Sequence, residues 1–154
     1  MNRRALLAAA ASLATLPAFG QGRRMRVGFA LSEDAPAYIE SFKRELERLG
    51  WREGAEVEYR VADAAGDPAT LPGIVSGLVG WEPDVIVSSS NRTHFAMRDA
   101  TATIPVVLVG AIDPIRLGVS DSLSRPSRNF TGSIGFVDGL MGKRVELLRE
   151  VLPQ

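Results

Sequence analysis

Three short, almost wholly apolar runs recur along this chain, separated by amphipathic stretches of helical period. They are Met25–Leu31 (MRVGFAL), residues 85–87 (VIV) and residues 106–109 (VVLV). A strand with one face in water alternates apolar and polar side chains, whereas a near-continuous apolar strand belongs to a parallel sheet covered on both faces. Strands that alternate with helices are joined by right-handed crossovers. The pattern predicts an α/β fold built on a parallel, doubly wound sheet.

The intervening segments fill in the order. Pro36 opens a helix, since proline is tolerated in a first turn, and Ile39, Phe42, Leu46 and Leu49 give it one apolar face. Gly50 is its expected stop. Val57, Tyr59 and Val61 alternate with Glu56, Glu58 and Arg60, the mark of a half-exposed strand at the edge of the sheet. Asp67-Pro68 starts a second helix, with Leu71, Ile74, Val75, Leu78 and Val79 on one side. Ser88-Ser89-Ser90-Asn91 follows the third strand and leads into a third helix ending near Thr101. A fifth strand is expected around residues 131–134. A last helix is expected over 138–152, with Met141, Val145, Leu148 and Leu152 on one face. An outer second strand gives the flavodoxin-like order 2-1-3-4-5.

The first twenty residues have a different character. Asn2-Arg3-Arg4 is a short basic start, residues 5–16 are small and apolar, and Pro17-Ala18-Phe19-Gly20 offers small residues where cleavage needs them. That is the pattern of a secretory signal peptide over residues 1–20. Its apolar run is shorter than the about 20 residues that span a bilayer. An exported, periplasmic protein is expected, with the paired arginines leaving both the general and the twin-arginine route open. Residues 21–136 read as one α/β lobe.

Lysine plus arginine number 18 and aspartate plus glutamate 18, so net charge favours neither nucleic acid nor an anionic membrane as partner. The chain has no cysteine, which excludes disulfides, thiolate metal sites and cysteine nucleophiles. His94 is the only histidine. Together with Ser89 or Ser90 and Asp99 it supplies the residue types of a nucleophilic triad, but no G-x-S-x-G elbow surrounds any serine. A lone histidine early in a helix reads instead as a surface residue. Scattered carboxylates alone are a poor metal set, and the glycine motifs that cradle phosphates are absent. No cofactor, metal or catalysis is expected.

In open parallel sheets, ligands bind outside the carboxyl ends of the strands, at the switch point of the strand order. Here that point lies between Ser32-Glu33-Asp34 and residues 88–93, with residues 110–114 beside them. Ser89, Ser90, Asn91 and Thr93, with the free amides of the helix's first turn, make a cradle for a carboxylate, which Arg92 reinforces. Serine and asparagine are also the preferred helix caps, but capping needs only one of them. Glu33, Asp34 and Asp113 suit an ammonium group, although Asp34 and Asp113 also stand near prolines where helices start. Tyr38 and Phe136 offer an apolar wall or core packing. Trp51 and Trp81, beside helix ends, read as packing residues.

One series of residues carries a family resemblance. After MRVGFAL come Glu47-Arg48-Leu49-Gly50-Trp51-Arg52-Glu53-Gly54, Val57-Glu58-Tyr59-Arg60, Leu71-Pro72, Pro83-Asp84-Val85-Ile86-Val87 and Ile104-Pro105-Val106-Val107. Asp113-Pro114-Ile115-Arg116-Leu117-Gly118, Asn129-Phe130-Thr131-Gly132 and Lys143-Arg144-Val145-Glu146-Leu147-Leu148 follow in order. This resembles the ABC-transporter substrate-binding proteins of the tryptophan/tyrosine type.

The resemblance implies the first of two periplasmic binding protein-like lobes that close on a small ligand, often an aromatic amino acid, and deliver it to a membrane permease. It places ligand contacts in the same strand-end loops. Where that family usually carries Gly-Thr after the third strand, Ser90-Asn91 stands here, a departure that leaves the ligand open among small zwitterions. It further implies that residues 137–154 are the hinge and first helix of a second lobe. The alternative is a one-lobe interaction module that dimerises or docks on a receptor through its last helix.

Overall fold

The computed structural model describes residues 23–33, 35–111, 113–126, 128–135 and 140–152. The expected signal peptide, Asp34, Phe136 and the start of the expected hinge at 137–139 lie outside the described residues. Five strands, β1 (Met25–Leu31), β2 (Val57–Asp63), β3 (Val85–Ser88), β4 (Val106–Ala111) and β5 (Phe130–Ile134), form one sheet. All pairings are parallel and the order is β2-β1-β3-β4-β5, as the sequence predicts. Helices α1 (Pro36–Arg48), α2 (Leu71–Val79), α3 (Asn91–Ala100) and α4 (Leu140–Val151) complete the elements.

Strand side chains alternate between two cores. Val27, Phe29 and Leu31 of β1, Val57 of β2 and Val87 of β3 face α1, where Ile39 and Phe42 meet them. The Phe29 and Phe42 rings stand edge-on with centroids 5.2 Å apart. On the other face Ala30, Ala62, Ile86, Val106 and Leu108 meet Val75 and Leu78 of α2 and Met97 of α3. Gly28 sits under Leu78, whose Cδ1 would lie 3.0 Å from an added Cβ. Each large side chain buried this way contributes about 1.5–3 kcal/mol.

Local chemistry sets the element ends. Gly50 adopts φ +93°; its amide donates to the Glu47 carbonyl (2.9 Å) and the Trp51 amide to Leu46 (2.9 Å). This is the Schellman arrangement that glycine allows after a helix. The second helix starts later than expected. The Asp67 carboxylate accepts the Ala69 amide at 2.9 Å and the Thr70 hydroxyl donates to the Asp67 carbonyl at 2.8 Å. Those bonds tighten residues 68–70 into a 3-10 turn, and α2 begins at Leu71.

Three apolar expectations are corrected. Leu49 is 60% exposed, because it is the C-cap where the chain turns away from the sheet. Val61 is exposed although Val57 on the same face is buried. Val107 and Val109 of β4 are only half-buried, since the core on that face gathers around α1 with β1, β2 and β3.

The β4–β5 pairing depends on glycine. Gly132 lies opposite Leu108, and a Cβ there would fall 2.0 Å from the Leu108 carbonyl oxygen. In α4 the expected apolar face is present, but Met141, Val145, Leu148 and Leu152 are all exposed.

Candidate ligand site

The strand order brings the carboxyl ends of β1, β3 and β4 to one sheet edge. The Ser89 amide donates to the Ala30 carbonyl at 3.2 Å, tying the end of β3 to β1. The Ser32 carbonyl accepts the Gly66 amide at 2.9 Å, tying the β1 loop to the loop after β2. Ser32 is half-buried and Glu33 exposed; Ser89, Ser90, Asn91 and Asp113 are half-buried. Of the seven expected contact residues within the described residues, six are exposed or half-buried at these strand ends.

The exception is Thr93, which is fully buried. Its Oγ1 receives the Ser88 hydroxyl at 2.8 Å and the Ser90 amide at 3.1 Å, and donates to the Ser90 carbonyl at 2.9 Å. The Ser90 Oγ accepts the Thr93 amide at 3.3 Å. This reciprocal capping box satisfies two N-terminal donors. Ser90 thus performs the capping role, and Thr93 shapes the turn from beneath. The amides of Asn91 and Arg92 lie in the first turn of α3, where backbone N–H groups face out of the helix end. They point the positive end of the α3 dipole at the edge.

His94 is also buried, with no exposed surface, so the expectation of a surface histidine is corrected. It faces the sheet one residue after Thr93, and its Nε2 lies 3.0 Å from the Ser88 carbonyl oxygen. Burial pushes its imidazole below the ordinary histidine value, and the bond to Ser88 opposes that only in part.

Asp113 caps the turn after β4: its Oδ1 accepts the amides of Ile115 at 3.1 Å and Arg116 at 3.0 Å. With Asn91, Phe95, Arg116 and Leu117 it lines a hollow of about 270 Å³ between α3 and that turn. Phe95 is 42% exposed there, four residues beyond Asn91 on the same side of the helix. Sequence reasoning passed over Phe95 and Arg116; the four-residue spacing from Asn91 was the available signal. Tyr38 packs among the α1-side core residues, and burial raises its phenol above the usual value. Trp81 is buried, with the guanidinium groups of Arg26 and Arg60 at 5.4 and 4.7 Å from its ring.

In five-stranded parallel sheets of this order, the switch point, here beside the capped start of α3, is where small ligands are bound. The family described as ABC transporter substrate binding protein matches residues 27–154, and the chain belongs to it. A tyrosine-binding protein of Clostridioides difficile (strain R20291) is 27% identical over 113 residues, covering 73% of this chain and 32% of that protein.

Two solved structures are similar. A conserved domain protein from Vibrio cholerae O1 biovar El Tor is 30% identical with a TM-score of 0.74 over 86% of this chain and 45% of its own. An open, ligand-free substrate-binding protein with adhesive properties from Clostridium difficile is 26% identical with a TM-score of 0.73 over 84% and 44%. A Streptococcus pneumoniae domain in complex with L-Trp shares the fold, with a TM-score of 0.65 at 20% identity. The chain thus spans less than half the length of these relatives.

Proposed function

We propose that this chain is the first lobe of an exported solute-binding protein serving an ABC permease, and that it recognises a small zwitterion, an aromatic amino acid such as tyrosine. One observation supports the reading: the ends of β1, β3 and β4 lie at one sheet edge, where Asn91 at the start of α3 and the Asp113 carboxylate line one hollow. The ligand carboxylate sits against Ser89, Ser90, Asn91 and the α3 N-terminus. Its ammonium group sits near Glu33, Asp34 or Asp113. Phe95 offers a ring face to an aromatic side chain. The tyrosine-binding relative supports the ligand class. Residues 137–154 serve as hinge and first helix of a second lobe, in keeping with the greater length of the solved relatives. Export rests on the pattern of residues 1–20. No helix among the described residues is long and apolar enough to cross a membrane.

Chemical-shift perturbation by L-tyrosine tests the reading at the weak affinity expected of one wall of a cleft, since small-molecule sites bury most of the ligand. L-Tyrosine should shift the amides of residues 89–91, and tyramine and N-acetyltyrosine, each lacking one charge, should not. Absence of any shift across the natural amino acids overturns the proposal.

The exposed apolar face of α4 favours a second reading, a module that pairs or docks through that helix. Sedimentation decides it: a discrete dimer abolished by Leu148→Glu supports pairing, and a monomer at high concentration refutes it.

A further inference from the structure

The chain's one histidine is buried in the lobe, where a hydrocarbon side chain would fill the space at lower desolvation cost. Its Nε2 is 3.0 Å from the Ser88 carbonyl oxygen. A carbonyl only accepts, so Nε2 carries the hydrogen and the neutral ring is the Nε2–H tautomer. Nδ1 has no hydrogen-bond partner among the described residues. A leucine would avoid that unpaired atom; what the histidine adds is the N–H.

That N–H acts at a sensitive place. Ser88 is the last residue of β3, where the chain leaves the sheet for the turn. The turn is already gripped from α3 at the Ser88 hydroxyl by Thr93, and at the Ser90 carbonyl by Thr93 Oγ1 and by the His94 amide at 2.8 Å. These contacts act on the Ser88 side chain and on Ser90, so the Ser88–Ser89 peptide plane is held by its own two groups, the Ser89 amide on the Ala30 carbonyl of β1 at 3.2 Å and the Ser88 carbonyl. The imidazole bond, at 3.0 Å, holds the carbonyl end of that plane, opposite the Ser89 amide, so the plane is pinned at both ends.

We propose that His94 is a positioning residue for the ligand turn: its neutral Nε2–H orients the Ser88 carbonyl and so holds residues 89–91 in the conformation that faces the ligand. The proposal rests on the ligand reading above for its purpose, but its geometry is testable without ligand. Being the only histidine, it gives a single imidazole signature in ¹⁵N-resolved spectra of the full chain, which should show the Nε2–H tautomer.

His94→Leu should raise amide exchange at Ser89 and Ser90 about tenfold, the scale of one lost bond to a buried carbonyl, while the β1 amide of Phe29 stays protected. His94→Gln, whose amide reaches the same carbonyl, should restore protection and L-tyrosine binding together. A Nδ1–H tautomer, unchanged Ser89 and Ser90 exchange in the leucine variant, or a glutamine variant as loose as the leucine one overturns the proposal. If the leucine variant fails to fold, the tautomer and the glutamine variant still decide. Should the wild-type chain bind no amino acid, the ligand reading falls and the exchange data still judge the role of His94.

Discussion

The hydroxyl of Ser88 donates to the hydroxyl of Thr93 at 2.8 Å, joining the last residue of β3 to the first turn of α3 across a fully buried contact. Strand end and helix start are therefore tied to each other directly, at the two ends of the turn formed by Ser89 and Ser90.

Thr93→Val keeps the shape of the side chain and removes the oxygen that three groups share. It should lower stability by about 1–3 kcal/mol, because Ser88 and the Ser90 amide lose a buried partner. Thr93→Ser should recover most of the loss. Urea denaturation of the three proteins measures both.

Asp113 has two separable roles, cap and charge. Asp113→Asn keeps an acceptor for the amides of Ile115 and Arg116 and removes the negative charge. It should leave stability within about 0.5 kcal/mol and weaken zwitterion binding about tenfold, the scale of a lost charged hydrogen bond. Asp113→Ala should add a stability loss of about 1 kcal/mol for the missing cap. Thermal unfolding alongside ligand titration separates the effects.

Two glycines should answer alanine in opposite ways. At Gly132 the added Cβ overlaps the Leu108 carbonyl oxygen, and the strain should cost about 1–3 kcal/mol. At Gly73, inside α2, an added Cβ meets nothing within 4 Å, and alanine should stabilise by about 0.5–1 kcal/mol. Paired denaturation curves decide the sign at each.

Burial lowers the His94 value below the ordinary 6.5. As the pH falls below 6.5, the unfolded chain takes up a proton that the folded chain still refuses, so folding stability should decline. The decline should end once the pH passes the lowered folded value, and above neutrality this contribution should be level. His94→Gln has no such group, so the difference between the two stability–pH curves isolates it.

The strand series was readable because β1, β3 and β4 are almost wholly apolar and β2 alternates, and Pro36, Gly50 and Asp67-Pro68 punctuate the chain at or near the observed ends. The site was readable to the level of loops. Ser89, Ser90, Asn91 and Asp113 reach the edge because strand ends must lie there in a sheet of this order. The side-chain roles were not. Thr93 and Ser90 have the same hydroxyl chemistry, and helix phase turned one inward and the other to the cap. The same phase buried His94 beside Thr93, while Phe95, the next residue, emerged at the surface.

Sequence alone determined the alternation of strand and helix, the parallel order and the loops at the switch point, since these follow from local apolar period and from chain connectivity. Tertiary structure decided which polar groups stand at the sheet edge and which hold the turn from below. Those choices depend on the distance between β3 and α3, which no local pattern encodes.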